Sequence, residues 1–360
     1  MKTRFRLFAT VVLFCALLVS PAFWGQSHAL AAEEARGDIV FSGPYEVGRL
    51  SVWMMQSKDA TDVDDYLSLN EAVKAGVLVV HETENVGSLT VENRSPNKAV
   101  LILSGEIVKG GKQDRTLGSD MLVPPKSGKL PIESFCVEQS RWAKRGSEAA
   151  TEFSSAGKRS VGKEMRSALR YEKSQGKVWS GVASNQDKLS ANLKAEVKDV
   201  ASPTSMQLTL ENKKVQNTIK EYREALGDLL AKHPNANGFA FLVNGGFSSA
   251  ELLHSRAFFK KAFPAMLEAA IVEAVSEEHL EKKAGDDSWM RMISTQEKPE
   301  RLEEQKGPAG VFHRTSVYKT HYRYDFLKDG VALHTTWDDR LPDSKMKPTP
   351  NNGPRPRPRR

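Results

Sequence analysis

The sequence predicts an α+β fold: an antiparallel β-sandwich or curled sheet in the N-terminal half, helices packed on it from the C-terminal half, and an extra C-terminal β-hairpin. Three short apolar runs, residues 77–81, 87–92 and 99–103, follow one another with turn residues between them, which is typical of antiparallel strands. Helical periodicity starts only after these strands. Such segregation of strands and helices along the chain indicates the α+β class.

Two further strands and one short helix are predicted in the N-terminal half. Residues 121–123 and 130–137 are apolar or alternating runs next to Pro or Gly, as strands commonly are. Ser68 and Glu71 have the spacing of a capping box that begins a helix. Residues 143–163 are polar and show no clear period, so we expect a surface excursion there, in one alternative a flexible lid.

Helical periodicity dominates the C-terminal half. It is clearest over residues 212–232, where apolar residues recur on one stripe. Residues 239–243 are predicted as a buried strand, after which Ser248-Ser249 is expected to cap a helix. Pro264 is expected to divide that helix from a second one over residues 265–283, because proline lacks the N–H that a helix interior needs.

The C-terminal residues divide into three predicted parts. Residues 285–310 are charged and poor in apolar side chains, which indicates a linker. Residues 311–340 are predicted to form a β-hairpin extension that turns at Asp329-Gly330. Residues 341–360 are rich in Pro and Arg, a composition that predicts a disordered, extended tail.

Residues 1–31 have the parts of an export signal. A basic head precedes an apolar run over residues 7–19, and small residues follow up to Ala31. The run is shorter than the roughly 20 residues that a membrane-spanning helix needs. The sequence therefore predicts a signal peptide cleaved near Ala31, no stable membrane span afterwards, and a periplasmic or extracellular protein.

The charge distribution argues against a nucleic-acid partner. The chain carries 52 Lys and Arg against 45 Asp and Glu, a net charge of +7. Removal of the predicted signal takes away Lys2, Arg4 and Arg6, and the final segment RPRPRR holds four of the remaining cations. The body of the protein is therefore nearly neutral, whereas a nucleic-acid-binding fold shows a basic face. The basic tail is suited to weak contact with acidic surfaces.

The cysteine content limits the chemistry. Cleavage leaves Cys136 as the single cysteine, so no intramolecular disulfide can form. A nucleophilic thiol needs a nearby base and a lowered pKa, and the residues around Cys136 include no histidine. The favoured interpretation is a buried core cysteine, and a reactive thiol is the alternative.

The stretch 105–142 holds the candidate site residues. Glu106, Gln113 and Arg115 surround a Gly-Gly turn, where glycines let backbone N–H groups face a ligand and the Arg115 guanidinium can bind a carboxylate or phosphate. The alternative is a tight bend with a buried Arg115–Glu106 ion pair. A phosphate loop is excluded, because Glu106 replaces its first glycine and Gln113 replaces its Ser or Thr.

A second motif, CVEQSRW, ends this stretch. Trp142 is a candidate wall of a pocket in which Glu138 and Arg141 bind a polar ligand. The alternative is a Glu138–Arg141 ion pair that fixes the end of the strand, with Trp142 in the core. The two motifs together supply six candidate ligand-binding residues: Glu106, Gln113, Arg115, Glu138, Arg141 and Trp142.

No metal site is predicted. His313, His321 and His334 lie near Asp325 and Asp338, but none of the spacings is the i,i+4 or C-x-x-C pattern common in zinc sites. A two-residue hairpin turn pairs His334 with Asp325 across the strands. We therefore expect these histidines on a solvated polar face.

Several segments resemble the ARG and rhodanese-phosphatase-superfamily-associated protein domain, a family of unknown function. The segments that carry the resemblance are 105–106, 111–115, 122–124, 136–142, 174–179 and 241–245. The resemblance implies a family-like α+β domain over residues 38–284, with the later residues outside it. The family name implies association with ADP-ribosylglycohydrolases and rhodanese-like phosphatases, and it implies no activity.

These observations lead to three functional hypotheses. The first is an exported ligand-binding or interaction domain whose polar pocket, built from GEIVKGGKQDR and CVEQSRW, takes a small molecule or peptide. The second is a hydrolase or transferase that uses Glu106 and Glu138, with Cys136 as a further candidate. The third is a structural or surface-adhesion protein that acts through its basic tail. The sequence identifies neither a cofactor nor a catalytic set.

Overall fold

A computed structural model of the chain describes residues 32–280, 286–295, 297–307 and 310–341. The predicted signal peptide and residues 342–360 of the predicted tail lie outside these ranges. In the described part, no helix is both long enough and apolar enough to cross a membrane.

Strands account for most of the N-terminal half, and helices follow them. The strands are β1 (Ala32–Arg36), β2 (Ile39–Val47), β3 (Leu50–Ser57), β4 (Tyr66–Ser68), β5 (Leu78–Asn85), β6 (Ser88–Asn93), β7 (Ala99–Ile102), β8 (Glu106–Gly110), β9 (Arg115–Leu117), β10 (Met121–Val123), β11 (Lys129–Cys136), β12 (Glu152–Arg159), β13 (Gly238–Val243), β14 (Gly246–Leu253), β15 (Arg301–Lys306), β16 (Val311–Val317), β17 (His321–Lys328) and β18 (Val331–Asp339). The helices are α1 (Leu69–Lys74), α2 (Lys163–Arg170), α3 (Gln175–Leu193), α4 (Met206–Glu211), α5 (Lys213–Leu226), α6 (Leu229–Lys232), α7 (Arg256–Ser276) and α8 (Ser288–Ser294).

The strands form a closed barrel and two open sheets. The barrel has the order β11-β6-β5-β12-β8-β9 and is built entirely from residues of the N-terminal half. A nine-stranded sheet of order β1-β2-β3-β13-β14-β18-β17-β16-β15 combines both ends of the described chain. The small sheet β10-β7-β4 packs with α1 on the barrel core. The α+β prediction is confirmed, and its N-terminal sheet closes into a barrel.

Three apolar clusters hold these layers together. The largest lies between the helices and one face of the nine-stranded sheet, and includes Phe241 of β13 and Phe259 of α7. A second fills the barrel around Val80 and Leu117. A third packs α8, through Trp289, against the opposite face of the nine-stranded sheet. Both faces of that sheet are therefore covered along part of its width, which accounts for the fully buried pattern of β13.

Five predicted strands and the predicted capping box of the N-terminal half are confirmed. Strands β5, β6, β7, β10 and β11 occupy the predicted runs. The predicted capping box is present, with the Ser68 hydroxyl accepting the Glu71 N–H at 3.2 Å and the Glu71 carboxylate accepting the Ser68 N–H at 2.9 Å. Gly76 follows α1 at a φ of +68°, a conformation that glycine adopts without steric cost.

The helical prediction needs three corrections. Ser248 and Ser249 lie within strand β14, because this segment is held between β13 and β18, and the next helix is capped instead by Ser255. Pro264 lies inside the continuous helix α7, whose buried aromatic residues pack on the sheet and outweigh the lost hydrogen bond. The predicted helix 212–232 is two helices, separated by Gly227 and the N-cap Asp228.

Two segments predicted to be irregular contain regular structure. The polar excursion 143–163 contains β12, which closes the barrel between β5 and β8. Residues 285–310, predicted as a linker, contain α8 and β15 among their described residues. The predicted hairpin turn at Asp329-Gly330 joins β17 to β18, and β18 pairs with β14, so this hairpin belongs to the nine-stranded sheet.

Loss of the capping box should weaken the packing of α1 on the barrel. We expect Ser68→Ala to lower the free energy of unfolding by about 1 kcal/mol, because the Glu71 N–H loses its acceptor. Urea denaturation followed by circular dichroism measures this change. Glu71→Gln, which keeps an acceptor for the Ser68 N–H, is the matched control and should cost less. Equal losses for the two variants would contradict this role of Ser68.

Candidate functional site

The two sequence motifs meet because their strands pair. Arg115 at the start of β9 lies opposite Cys136 at the end of β11, in antiparallel register. The Gly-Gly turn that precedes β9 and the segment that follows β11 therefore emerge at the same end of the barrel. This pairing brings together Gln113, Arg115, Glu138, Arg141 and Trp142.

Arg115 is fully buried and only partly satisfied. Its Nη1 donates to the Gln113 carbonyl at 2.8 Å, and its Nη2 lies 3.8 Å from a Glu82 carboxylate oxygen. Within the described residues, Nε and Nη2 of Arg115 have no hydrogen-bond partner. Trp142 covers this guanidinium, with 5.7 Å between its ring centroid and Cζ, while remaining 44% exposed. A partly exposed indole ring therefore lies against a buried, incompletely bonded cation.

Trp142 also contacts a second cation. The ammonium of Lys112 lies 5.3 Å from the ring centroid and forms an ion pair with Glu84 at 2.9 Å. The exposure of Trp142 excludes the alternative in which this residue lies in the core. Its ring instead forms a surface cover over Lys112 and Arg115, which we call the Trp142 cover.

Glu138 and Arg141 belong to a dense ionic cluster beside the Trp142 cover. Arg141 Nε donates to Glu138 at 2.6 Å, and the Asp114 N–H donates to the same carboxylate at 3.1 Å. Arg145 binds Asp114 at 2.8 Å, and Gln113 Nε2 donates to the Glu138 carbonyl at 3.0 Å. Burial alone raises the pKa of Glu138, but the bonds from Arg141 and its other partners outweigh burial and lower that pKa. The cluster fixes the segment that carries Trp142.

Glu106 lies away from the other candidates. Its carboxylate accepts the Leu103 N–H at 2.8 Å. The alternative Arg115–Glu106 ion pair does not form, because Arg115 lies opposite Val108, two residues further along β8. That offset is about 6 to 7 Å along a strand, and Arg115 faces Glu82 instead. Burial raises the pKa of Glu106 to about 7.

Cys136 lies in the interior. Its side chain is buried, and burial raises the pKa of the thiol to about 11. The Gln175 side chain binds the backbone N–H and C=O of Cys136 at 2.8 and 2.9 Å. The thiol is therefore protonated at neutral pH, which is the opposite of what a cysteine nucleophile requires.

A buried charge cluster, which no sequence motif indicates, is centred on His334. His334 Nδ1 lies 2.6 Å from Asp120 and Nε2 lies 3.0 Å from Glu251. Arg159 binds both Glu251 oxygens, at 2.8 and 2.9 Å, and donates to the Ser104 carbonyl at 2.9 Å. The expected solvated position of His334 is wrong, because this side chain has no exposed surface.

A β-bulge explains this error. The predicted two-residue turn is present, but the register shifts between Phe326 and Leu327, so His334 lies opposite Phe326 and not opposite Asp325. His334 therefore shares the face of the sheet on which Phe326 is buried. Of the other two histidines, His321 is buried and His313 is partly buried.

The charges around His334 stabilise one another. Burial alone lowers the pKa of His334, but Asp120 and Glu251 outweigh burial and leave that pKa raised. Burial alone raises the pKa of Asp120 and of Glu251, yet the neighbouring cations leave both lowered. His334 is thus held as an imidazolium between two carboxylates.

The charge network continues into the helices. Asp338 accepts from Arg166 at 3.1 Å, from Arg170 at 2.9 Å and from the Tyr171 hydroxyl at 2.6 Å. Arg166 also pairs with Glu273 of α7. Asp338 and His334 are both in β18, so this strand connects α2 to the Asp120 loop. No short sequence motif marks these residues, because they come from distant segments.

The comparisons with known proteins identify the family. The family model of the ARG and Rhodanese-Phosphatase-superfamily-associated Protein domain matches residues 38–339, and the chain belongs to this family. The match includes β15 to β18, which lie beyond the limit at about residue 285 expected from the sequence resemblance. Neither the curated proteins nor the solved structures gave a match.

Removal of the central imidazolium should be costly. We expect His334→Gln to lower the free energy of unfolding by about 3 to 5 kcal/mol, because Asp120 and Glu251 would remain buried without the cation between them. Urea denaturation at pH 6 measures the loss. His279→Gln is the matched control at an exposed histidine. A loss below about 1 kcal/mol would contradict a buried ionic role for His334.

Glu106 should make stability depend on pH. Because its pKa is raised from 4.5 to about 7 in the folded protein, the folded state holds the proton more tightly than the unfolded state. The free energy of unfolding should therefore fall as the pH rises from about 4.5 to about 7, by about 2 to 3 kcal/mol from this group.

The test compares the wild type with Glu106→Gln across pH 4.5 to 8. The difference in free energy of unfolding between the two proteins should change by that amount over this range. Glu84→Gln, at an exposed glutamate, is the matched control. A constant difference between wild type and Glu106→Gln would show that Glu106 titrates normally.

Proposed function

We propose that this protein is an exported ligand-binding protein whose site lies at Arg115, beneath the Trp142 cover. The observation that carries the proposal is the fully buried Arg115 guanidinium, with two nitrogens that lack hydrogen-bond partners in the described part of the chain. Buried polar groups in folded proteins are nearly always hydrogen-bonded, so an incompletely bonded cation near the surface indicates a group that a ligand completes.

The charges around Arg115 define the ligand class. Glu82 lies 3.8 Å from Arg115, and Glu84 is paired with Lys112, so both cations already have a counter-charge. Within the described part of the chain, Nε and Nη2 of Arg115 nevertheless lack hydrogen-bond acceptors. A carboxylate or phosphate group on a small molecule or peptide supplies two acceptors that match the planar guanidinium.

Trp142 supports the same site in a different way. Its indole ring lies on the two cations that the ligand would contact, and it is exposed to solvent. An apolar part of the ligand can pack against the ring while the acidic group reaches Arg115. The ionic cluster of Asp114, Glu138 and Arg145 then holds the segment that carries Trp142. These three residues do not contact the ligand directly.

The rival hydrolase or transferase hypothesis has weaker support. Glu138 is held as a carboxylate by Arg141 and by the Asp114 N–H, which leaves it poorly suited to proton transfer at neutral pH. The raised pKa of the Cys136 thiol also disfavours nucleophilic catalysis. Glu106 has a pKa suited to acid–base chemistry, but it lies away from Arg115, which is opposite Val108, two residues further along β8.

Export remains part of the proposal and is supported by the sequence of residues 1–31 alone. Its basic head, short apolar run and small-residue tail are those of a cleaved signal. A ligand site at the barrel end would then face the periplasm or the extracellular medium.

Arg115 should control the binding of acidic ligands. We expect citrate or inorganic phosphate to raise the melting temperature of the wild type, and Arg115→Gln to weaken that binding roughly ten- to hundred-fold, because charged hydrogen bonds contribute about 1.5 to 3 kcal/mol. Thermal-shift titrations measure both effects, and quenching of Trp142 fluorescence, absent in Trp142→Phe, locates the probe.

Arg94→Gln is the matched control on the barrel surface, because Arg94 is exposed and pairs only with Glu92 among the described residues. This variant should bind both probes as the wild type does. An equal response in Arg115→Gln with an unchanged circular dichroism spectrum would overturn the proposal. A wild type that responds to neither probe at millimolar concentration would overturn it as well.

A further inference from the structure

A cleft of about 570 Å³ lies where the end of the nine-stranded sheet meets the barrel. Strands β16 and β17 form one wall, through His313, Thr315 and Tyr324, and residues 303–306 of β15 extend it. The opposite wall comes from the barrel, at Ser119 and Glu133. Clefts between structural units of 300 to 1,000 Å³ are typical small-molecule sites. None of the six residues predicted from the motifs lines this cleft.

A hydrogen bond from Tyr324 at the cleft floor determines which nitrogen of the His313 ring carries the proton. Tyr324 is buried, and its hydroxyl lies 2.7 Å from His313 Nδ1, which among the described residues is the one hydrogen-bond acceptor within reach of that hydroxyl. A buried hydroxyl proton needs an acceptor, so Tyr324 donates and His313 Nδ1 accepts. Burial lowers the pKa of His313, so the ring is neutral at neutral pH and its proton lies on Nε2. His313 thus has a single N–H, on the nitrogen that Tyr324 does not occupy.

Five of the six charged side chains that line the cleft are in ion pairs, and the lining as a whole has three acidic and three basic side chains. Glu133 pairs with Lys173 across the barrel wall. Glu304 pairs with Arg314 at 2.7 Å, and Glu303 pairs with Arg301 at 2.8 Å. Arg170, which also lines the cleft, is held by Asp338 at 2.9 Å. The inner walls therefore present balanced charges together with neutral donors and acceptors.

We infer that this cleft binds a neutral, hydroxyl-rich ligand of the saccharide type, with His313 Nε2–H as its central donor. The Thr315 and Ser119 hydroxyls can each donate and accept, as sugar hydroxyl groups do. One face of the Tyr171 ring stacks on Tyr322 with 4.0 Å between the ring centroids, and the part of the ring that lines the cleft offers apolar surface for the C–H groups of a sugar. This inference goes beyond the proposed function, which concerns an acidic ligand at Arg115.

The histidine tautomer and the ligand can be measured together. In long-range ¹H–¹⁵N spectra of the ¹⁵N-histidine-labelled full chain, the missing signals of His313→Gln identify His313 among the eight histidines. We expect the Nε2–H tautomer in the wild type and a weaker tautomer preference in Tyr324→Phe. Titration with maltotriose and with triacetylchitotriose should shift the His313 Nε2 signal for at least one of these neutral probes.

The variants separate this site from the one at Arg115. His313→Gln should weaken binding of the responding trisaccharide about five- to tenfold, the effect of one hydrogen bond, whereas the exposed His279→Gln should leave it unchanged. Arg115→Gln should not affect this titration, so the two proposals fail independently. An Nδ1–H tautomer, an unmoved His313 signal with both trisaccharides, or equal affinity in His313→Gln would each overturn the inference.

Discussion

The imidazolium of His334, enclosed by Asp120 and Glu251, is the interaction on which the assembly of this fold depends. Asp120 lies between two barrel-side strands, Glu251 lies in β14 and His334 in β18, so the contact joins the barrel to the nine-stranded sheet. Isolated charges in such a position would cost several kcal/mol each. Each ion here has a partner of opposite sign, and Arg159 forms a further ion pair with Glu251. A strand shifted by one residue would leave these charges unpaired, so the network specifies the register as well as the docking.

The sequence predicted those features that depend on neighbouring residues. The capping box at Ser68 and the turn at Asp329-Gly330 are short-range patterns, and both are present. Errors arose where distant segments decide the structure. Ser248 has the chemistry of a helix cap but is held between two strands, and β12 has one inward apolar side chain, Phe153, too few to reveal a barrel strand. No sequence pattern indicates the β-bulge between Phe326 and Leu327.

The candidate site was predicted in part for the same reason. Arg115 and Trp142 come together because β9 pairs with β11, and the two motifs stand close in the sequence. Glu106 was grouped with them by sequence distance, although two residues along a strand are enough to separate the side chains. Two further residues contact the site: Glu82 lies near Arg115, and Arg145 binds Asp114. Both lie outside the two motifs, and no motif marks them. The positions of Arg115, Trp142 and Glu106 thus depend on strand pairing and register, which a single sequence does not reveal.

The nine-stranded sheet also sets an order of events during synthesis. Its strands β2 and β3 are made early, yet β3 lies beside β13, which follows the entire barrel in the chain. The six barrel strands pair with one another, so the barrel can close first. Until β13 is made, the hairpin of β2 and β3 has one long edge unpaired. Unpaired edges of this kind are open to association with other chains until the partner strand arrives. A chain built this way benefits from remaining unfolded, or accompanied by a chaperone, until its last strands are available.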